Sequence, residues 1–265
     1  EFLNKENFNH IEIYNIKYII NVILDKKYEK MQKILRLKNQ VEKLQQLELP
    51  EQRSTEWYEL RKKVLTASSL ASALGKDHYK TKYELIEDKL IDKPYVSNEI
   101  TEHGVKYEEI ATQFYEHLNN VKILEFGLIP HPEFSIFGAS PDGICSNDSP
   151  DEYIGRMLEI KCPPKRKFTK AVPEHYKYQM IGQLECCNLD ECDFFQVKIS
   201  NYKTEKDYID DLIEENETVK IGYTANNLPK GCIIFYKDNS KSNQTENKYL
   251  YPGLFKSFSD LNEWI

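Results

Sequence analysis

A ten-residue segment, GRMLEIKCPP at residues 155–164, constrains the fold of this chain more than any other stretch. From Arg156 to Cys162 the side chains alternate as in a short β-strand, where every second residue points to the same face. Glu159 and Lys161 therefore share one face as next-nearest neighbours. The other face carries Leu158, Ile160 and Cys162. The pattern predicts a mostly buried strand that bears an acid and a base side by side and ends at two prolines.

Two interpretations of Glu159 and Lys161 compete. In the first, they form an ordinary ion pair on a solvated face, and such a pair contributes little to stability. In the second, they belong to a metal-dependent hydrolytic site. The second interpretation requires further functional groups elsewhere in the chain.

The composition is that of a globular protein with a sizeable core. Its 265 residues suffice for one large domain or for one domain with appendages, and 40% of them are hydrophobic. The most apolar early run, residues 16–24, is interrupted by Lys17 and Asn21, so we expect no membrane span and no secretion signal. The six cysteines show no disulfide framework, which favours an intracellular, reducing compartment.

The charge of the chain is unevenly distributed. The net charge of -7 disfavours a protein that coats nucleic acid nonspecifically. Residues 161–170 nevertheless contain five basic side chains and no acid, and residues 26–38 contain six basic side chains against Glu29. We expect such local patches, rather than the net charge, to steer a phosphate ligand.

The periodicity of apolar residues predicts an alternation of helices and strands. Helices are predicted over 11–49, from Ser54, over 68–74, 83–92, 104–118, 173–187 and 205–218, and near Trp264. Strands are predicted over 121–129, 133–139, 155–162, 193–199, 231–237 and 247–251. This order indicates an α/β (α+β) fold, with one central sheet flanked by helices and an N-terminal helical extension.

Two further acids lie where they can join Glu159. Asp142 stands in the turn sequence Ser140-Pro141-Asp142-Gly143, and a hairpin-like pairing of the flanking strands would bring it next to Glu159. Glu108 lies beside the apolar stripe of the 104–118 helix. Taken alone, Asp142 fits an ordinary β-turn and Glu108 fits a solvated helix face.

Together these carboxylates suggest hydrolysis of a phosphodiester. Mg²⁺ prefers carboxylate and carbonyl oxygens. A bound ion neutralises phosphate oxygens and acidifies an attacking water. Lys161 can position that water, take its proton if its own pKa is lowered, or offset charge in the transition state. The bare spacing D…ExK is common by chance, so the neighbouring residues must decide.

Four ordered blocks resemble the PD-(D/E)xK nucleases, and among them the lambda exonuclease / YqaJ-type viral recombinase family. The blocks are Trp57-x3-Arg61 with Leu65-Thr66-Ala67-Ser68, Gly104-x2-Tyr107-Glu108, Ser140-Pro141-Asp142-Gly143, and Leu158-Glu159-Ile160-Lys161-Cys162-Pro163. A looser fifth block is Tyr176-x2-Gln179. The resemblance implies a restriction-endonuclease-like mixed β-sheet flanked by helices. It places the nuclease core at residues 50–204, between a helical extension at 1–49 and a C-terminal helix and hairpin at 205–265.

The resemblance also implies a role for individual residues. The metal ligands would be Glu108, Asp142, Glu159 and the carbonyl oxygen of Ile160. The catalytic residues would be Lys161, Glu159, Asp142 and Gln179. The pocket for a DNA 5′ phosphate would consist of Arg61, Ser68 and Ser140. The family often has a second glutamine two residues after the first, where this chain has Ile181.

The resemblance implies a Mg²⁺-dependent deoxyribonuclease, with Mn²⁺ as a substitute, that acts as a 5′→3′ exonuclease in viral or phage DNA recombination, repair or replication. The expected partners are double-stranded DNA ends, a single-strand annealing protein and further copies of the chain, but no membrane. For a viral protein, the expected location is the cytoplasm or nucleus of the host cell. Two alternatives stay open: a structure-specific or restriction-type endonuclease of the same fold, and an inactive DNA-binding or scaffold protein.

Overall fold

A long N-terminal helix, α1 (His10–Gln45), opens the computed structural model, which describes residues 10–91, 98–165, 167–215, 218–220, 222–238 and 246–264. The helix confirms the predicted extension. At 1.5 Å per residue it measures about 54 Å. Its C-terminal part enters the core through Leu37, Val41 and Leu44, while apolar residues nearer its start, such as Ile20 and Leu24, are exposed.

The helices that follow overlap the predicted ranges, although the one predicted over 205–218 is much shorter. They are α2 (Thr55–Lys63), α3 (Leu70–Ala73), α4 (Lys82–Leu90), α5 (Glu99–Asn119), α6 (Glu174–Cys187), α7 (Glu205–Asp210) and α8 (Phe258–Trp264). Ser54 caps α2 as expected, because its hydroxyl accepts a 3.1 Å hydrogen bond from the Trp57 amide. Gly75, with a φ of 69°, follows α3 in the left-handed conformation that glycine adopts without strain. Within the described ranges, no helix is long and apolar enough to cross a membrane.

The central sheet is mixed, as predicted. The strands of the chain are β1 (Leu65–Thr66), β2 (Ile123–Leu124), β3 (Ile129–Pro130), β4 (Phe137–Ala139), β5 (Gly143–Cys145), β6 (Met157–Lys161), β7 (Cys192–Gln196), β8 (Ile213–Glu215), β9 (Thr218–Lys220), β10 (Ile234–Asp238) and β11 (Glu246–Leu250). The central sheet has the order β2-β5-β6-β7, in which only the β6–β7 pair is parallel. A smaller sheet has the order β1-β4-β3, in which β1 pairs with β4 in parallel and β3 pairs with β4 antiparallel. Together with the surrounding helices, this sheet confirms the predicted fold class.

Strand β6 lies between two hydrophobic clusters, because alternate residues face opposite sides of the sheet. Met157 packs in the cluster that contains Leu37 and Val41 of α1. Leu158 and Ile160 pack in the cluster that contains Tyr107 of α5. Both faces of the strand are therefore buried, and the interpretation of Glu159 as part of a solvated face is wrong.

The prediction of one strand over 121–129 is wrong. The segment is divided into β2, which pairs with β5, and β3, which pairs with β4 in the other sheet. Gly127 lies between the two strands, where a Cβ atom would stand 2.1 Å from the carbonyl oxygen of Pro50. This close approach of two backbones is a long-range contact that local periodicity does not contain.

The predicted helix over 205–218 is also wrong beyond residue 210. Lys230 donates a 2.6 Å hydrogen bond to the carbonyl oxygen of Tyr208 and also contacts that of Asp211, so a side chain from a distant loop satisfies the end of α7. Strands β8 and β9 follow as an antiparallel pair. The predicted C-terminal hairpin is confirmed by β10 and β11, although residues 239–245 of its loop lie outside the described part of the chain.

Candidate active site

Pairing of β5 with β6 brings Asp142 to Glu159, as the sequence predicted. The antiparallel register places Gly143 opposite Leu158. Asp142 immediately precedes β5, and its Oδ2 atom accepts a 2.6 Å hydrogen bond from the backbone amide of Ile160. The turn aspartate is therefore fixed on the strand that carries Glu159.

The Glu159 side chain is completely buried, with 0% of its surface exposed. Its two carboxylate oxygens accept 2.8 Å hydrogen bonds, Oε1 from Gln179 Nε2 and Oε2 from Gln183 Nε2, both on α6. Lys161 also contacts Oε1. These donors offset the cost of burying a charge, so Glu159 is held in one orientation.

Lys161 completes this group of charges. Its Nζ atom donates a 2.9 Å hydrogen bond to the carbonyl oxygen of Ile160 and lies 4.0 Å from Asp142 Oδ2. Burial alone lowers the pKa of Lys161, but the negative charges of Glu159 and Asp142 outweigh it and raise the pKa above its ordinary value. The side chain is accordingly an ammonium group in this arrangement and not a neutral amine.

Glu108 is turned towards Arg53 rather than towards Asp142 and Glu159. The guanidinium group lies 3.1 Å and 3.0 Å from the two carboxylate oxygens of Glu108. Burial is the main cause that raises the pKa of Glu108, while the Arg53 charge opposes it and the Glu159 charge adds to it. Glu108 is thus paired with Arg53, outside the group formed by Asp142, Glu159 and Lys161. The negative charge of Glu159 nevertheless helps to raise its pKa.

The oxygen ligands around Ile160 fit a hard divalent cation. Asp142 and Glu159 place two carboxylates around one ammonium, so the group has an excess of negative charge when both are ionised, which a dication would neutralise. Burial first, and then the charge of Glu159, raises the pKa of Asp142 well above its ordinary value. Over the described residues, no three His, Cys, Asp or Glu side chains are grouped to hold a metal ion together. Asp142, Glu159 and the Ile160 carbonyl oxygen offer the type of oxygen donor that Mg²⁺ prefers, and Mg²⁺ retains several waters as its other ligands.

Beside these carboxylates lies a cleft of about 860 Å³. Its lining includes Glu108, Glu109, Glu125 and Asp142. Burial raises the pKa of Glu125, and the charges of Glu109 and Glu108 raise it further. Arg53 is the basic residue of this lining, so carboxylates predominate and a phosphate would need further cations to bind on this side.

Contacts of Trp57 link the predicted phosphate-binding residues Arg61, Ser68 and Ser140. The Arg61 guanidinium lies 4.4 Å from the centre of the Trp57 ring and donates a 3.3 Å hydrogen bond to the hydroxyl of Ser68. The indole N–H of Trp57 donates a 3.2 Å hydrogen bond to the hydroxyl of Ser140. Trp57 therefore orients Arg61 by stacking. Through Arg61 on one side and Ser140 on the other, it connects the turn at Ser68 to the turn that contains Asp142.

Sequence reasoning missed two groups of this site. Gln183 contacts Glu159 from one helical turn beyond Gln179, and the spacing of four residues on one helix face could have indicated it. Lys89 donates a 2.8 Å hydrogen bond to the carbonyl oxygen of Val64 and also contacts that of Arg61, and no local signal identifies this contact. Burial and the charge of Arg61 lower the pKa of Lys89.

Comparison with known proteins identifies viral relatives. The chain is 34% identical over 235 residues to the uncharacterized protein R354 of Acanthamoeba polyphaga mimivirus, a match that covers 81% of this chain and 42% of that protein. It is 26% identical over 160 residues to protein D345L of African swine fever virus, which covers 51% of this chain and 46% of that protein. The chain thus spans less than half the length of these relatives.

Among solved structures, the alkaline exonuclease LHK-Exo from Laribacter hongkongensis is similar at 29% identity and a TM-score of 0.44, covering 55% of this chain and 74% of that one. LHK-Exo in complex with dAMP is similar at 23% identity and a TM-score of 0.43, covering 79% and 86%.

A family model of the YqaJ-like viral recombinase domain matches residues 56–190, which is half of the chain. The matched region includes Arg61, Glu108, Asp142, Glu159 and Gln179. The match confirms the resemblance that the ordered sequence blocks indicated. The chain therefore belongs to the YqaJ-like viral recombinase domain family.

Proposed function

We propose that this protein is a Mg²⁺-dependent deoxyribonuclease that degrades duplex DNA from its 5′ ends, in the 5′→3′ direction, during viral recombination, repair or replication. One observation carries the proposal. Asp142 and Glu159 lie around the Lys161 ammonium, and Ser140, two residues before Asp142, belongs to the Trp57 and Arg61 cluster. The proposed cleavage site and the proposed pocket for a terminal phosphate would therefore lie next to each other.

Each residue at the cleavage site would have a distinct role. Asp142, Glu159 and the Ile160 carbonyl oxygen would hold Mg²⁺, which supplies charge neutralisation and acidifies water when bound. Gln179 and Gln183 fix Glu159. Lys161, which contacts Glu159 and lies 4.0 Å from Asp142, would act as a nearby cation that orients the water or offsets developing charge.

The phosphate pocket accounts for a preference for DNA ends. A terminal phosphate carries more negative charge than an internal one, so the Arg61 guanidinium and the hydroxyls of Ser68 and Ser140 would bind it more strongly. Because Arg61 is stacked on Trp57 and hydrogen-bonded to Ser68, its direction is set before DNA binds. An ordered pocket loses less entropy on binding.

The test compares linear duplexes with closed circular ones in the presence of Mg²⁺. We expect 5′-phosphorylated linear duplexes to be degraded much faster than 5′-hydroxyl duplexes, with label released first from the 5′ end, and closed circles to stay intact. Asp142→Asn is the inactive control. Rapid cutting of closed circles would instead favour a structure-specific or restriction-type endonuclease.

An inactive DNA-binding scaffold is the remaining alternative. The presence of all four charged residues of the family pattern, Glu108, Asp142, Glu159 and Lys161, favours an enzyme. DNA binding without cleavage in either Mg²⁺ or Mn²⁺ would support the scaffold. A single-strand annealing protein and further copies of this chain stay predicted partners.

A further inference from the structure

Gln183 is one of the most deeply buried polar residues of the described chain, with 1% of its surface exposed. Its amide group has two N–H donors, and Nε2 lies 2.8 Å from Glu159 Oε2 and 3.4 Å from the carbonyl oxygen of Ser140. One side chain therefore contacts both the buried carboxylate of the cleavage site and the backbone of a residue in the phosphate pocket.

The orientation of the Gln183 amide follows from its neighbours. A carboxylate oxygen and a carbonyl oxygen can only accept hydrogen bonds, so Nε2 must face them. The other amide atom, Oε1, is buried and accepts no hydrogen bond from any described residue. An unsatisfied buried acceptor is unfavourable, so the glutamine is held here through the contacts of its Nε2 atom with Glu159 and Ser140.

Helix α6 holds Gln183 firmly against both parts of the site. At the preceding residue, Gly182, an added Cβ atom would stand 3.0 Å from Phe137 Cζ and 3.2 Å from Ala67 Cβ. Ala67 directly precedes Ser68, so the helix backbone lies in tight contact with the turn that carries the Arg61 partner. Gln179, one turn earlier, fixes the other oxygen of Glu159.

We propose that Gln183 is a positioning residue that sets the distance between the two subsites, so that the terminal phosphate and the bond to be cut are bound in register. This inference rests on the function proposed above. The distance matters because a DNA end spans both subsites with a fixed spacing, and a displacement of about 1 Å at a reacting group can cost about 100-fold in rate. Ser140 belongs to the proposed phosphate pocket and Glu159 to the cleavage site, and Gln183 is hydrogen-bonded to both.

The test uses Gln183→Met in the full chain, because methionine keeps the length of the side chain and removes both donors. On 5′-phosphorylated ends we expect kcat to fall about 10- to 100-fold while KM changes less than about threefold. The 5′-hydroxyl ends do not engage the pocket, so kcat on these ends should fall less. The preference for phosphorylated ends should therefore decrease. Ile181→Ala, an exposed residue of the same helix, is the matched control and should behave as the wild type.

Calorimetry with Mn²⁺ gives a readout that does not depend on activity. Since Gln183 orients Glu159, Gln183→Met should weaken Mn²⁺ binding about 10- to 100-fold, as is typical when a residue that orients a metal ligand is removed. Gln183→Asn, which keeps the amide but is too short to reach Glu159, should weaken it similarly. Thermal unfolding checks that each variant is folded, and the Asn variant replaces the Met variant if the latter is not.

The outcomes separate this inference from the proposed function. If the wild type cuts neither kind of end, the proposed function is wrong and calorimetry alone decides whether Gln183 positions Glu159. Unchanged Mn²⁺ affinity in both variants, or no Mn²⁺ binding by the wild type, overturns the inference. If the wild type is active and Gln183→Met lowers kcat by the same factor on both kinds of end, Gln183 does not set the distance between the two subsites.

Discussion

The ammonium group of Lys161 donates a 2.9 Å hydrogen bond to the carbonyl oxygen of Ile160, the residue before it in β6. The same ammonium contacts Glu159 and lies 4.0 Å from Asp142. These three groups are also the ones that fit a divalent cation. If Mg²⁺ binds as proposed above, it would share these oxygens with the Lys161 ammonium, so the two positive charges would compete for them.

This competition predicts opposite effects of Lys161→Ala on metal binding and on catalysis. Mn²⁺ affinity should be kept or increased, because a competing positive charge is removed, while the cleavage rate should fall at least about 100-fold. Calorimetry and single-turnover cleavage measure the two quantities. Lys161→Arg should not restore the rate, because the planar guanidinium is bulkier than an ammonium and cannot occupy the same position among these oxygens. Full activity of the Arg variant would show that any nearby cation is sufficient.

Asp142→Asn should abolish cleavage and stabilise the metal-free protein at neutral pH. The pKa of Asp142 is raised in the folded state, by burial and then by Glu159, so its contribution to stability is fully present below the pKa of the unfolded chain and is lost as the pH rises through the folded value. Asparagine keeps an acceptor for the Ile160 amide. We expect an unfolding temperature about 2–6 °C higher near pH 7, and a smaller difference at about pH 3.5. If Asp142→Asn unfolds at a lower temperature than the wild type at pH 7, the site has no destabilising excess of negative charge.

Glu159→Ala should unfold the protein more readily than Glu159→Gln. Alanine leaves Lys161, Gln179 and Gln183 without their shared acceptor, and breaking such a buried set costs about 3–5 kcal/mol. Glutamine retains one acceptor oxygen, so its free energy of unfolding should decrease less, although both variants should lose cleavage. Denaturant unfolding of the three proteins makes the comparison, and equal stability of Ala and wild type would be incompatible with the buried hydrogen bonds.

Arg61→Ala should remove most of the preference for 5′-phosphorylated ends. The variant loses both the stacked guanidinium and its contact with Ser68, while the carboxylates of the cleavage site are untouched. Slow, metal-dependent cutting should persist. Lys62→Ala, next in the chain and on the exposed side near Glu59, is the matched control. An unchanged ratio of rates on the two kinds of end in Arg61→Ala would exclude this pocket.

Arg53→Met tests whether Glu108 can serve as a metal ligand. Arg53 occupies both oxygens of Glu108, so its removal frees that carboxylate next to the acidic cleft. If Glu108 is a ligand, Mn²⁺ affinity should rise several-fold, and the Arg53→Met/Glu108→Gln double variant should lose that gain. Identical affinities in calorimetry would assign Glu108 a structural role with Arg53.

Much of this architecture follows from local pattern. The period-two alternation around Glu159 predicted a buried strand, and β6 is buried on both faces. The turn sequence before Gly143 predicted the approach of Asp142 to that strand, because a tight turn leaves few positions for the returning chain. Ser54 and Gly75 predicted helix ends, because a serine hydroxyl can cap a helix start and glycine adopts the left-handed conformation that follows a helix. Such features depend on neighbours in sequence, so they are visible without a fold.

The sequence by itself thus determined which residue types meet along β5 and β6, whereas only the tertiary structure decided their partners. Nothing local pairs Arg53 with Glu108, connects Trp57 to Ser140, or divides residues 121–129 between two sheets around Gly127. Gln183 meets Glu159 and Ser140 only because α6 packs tightly against the turn before Ser68. These contacts join residues far apart in the chain, and their energies are realised only when the whole core has closed.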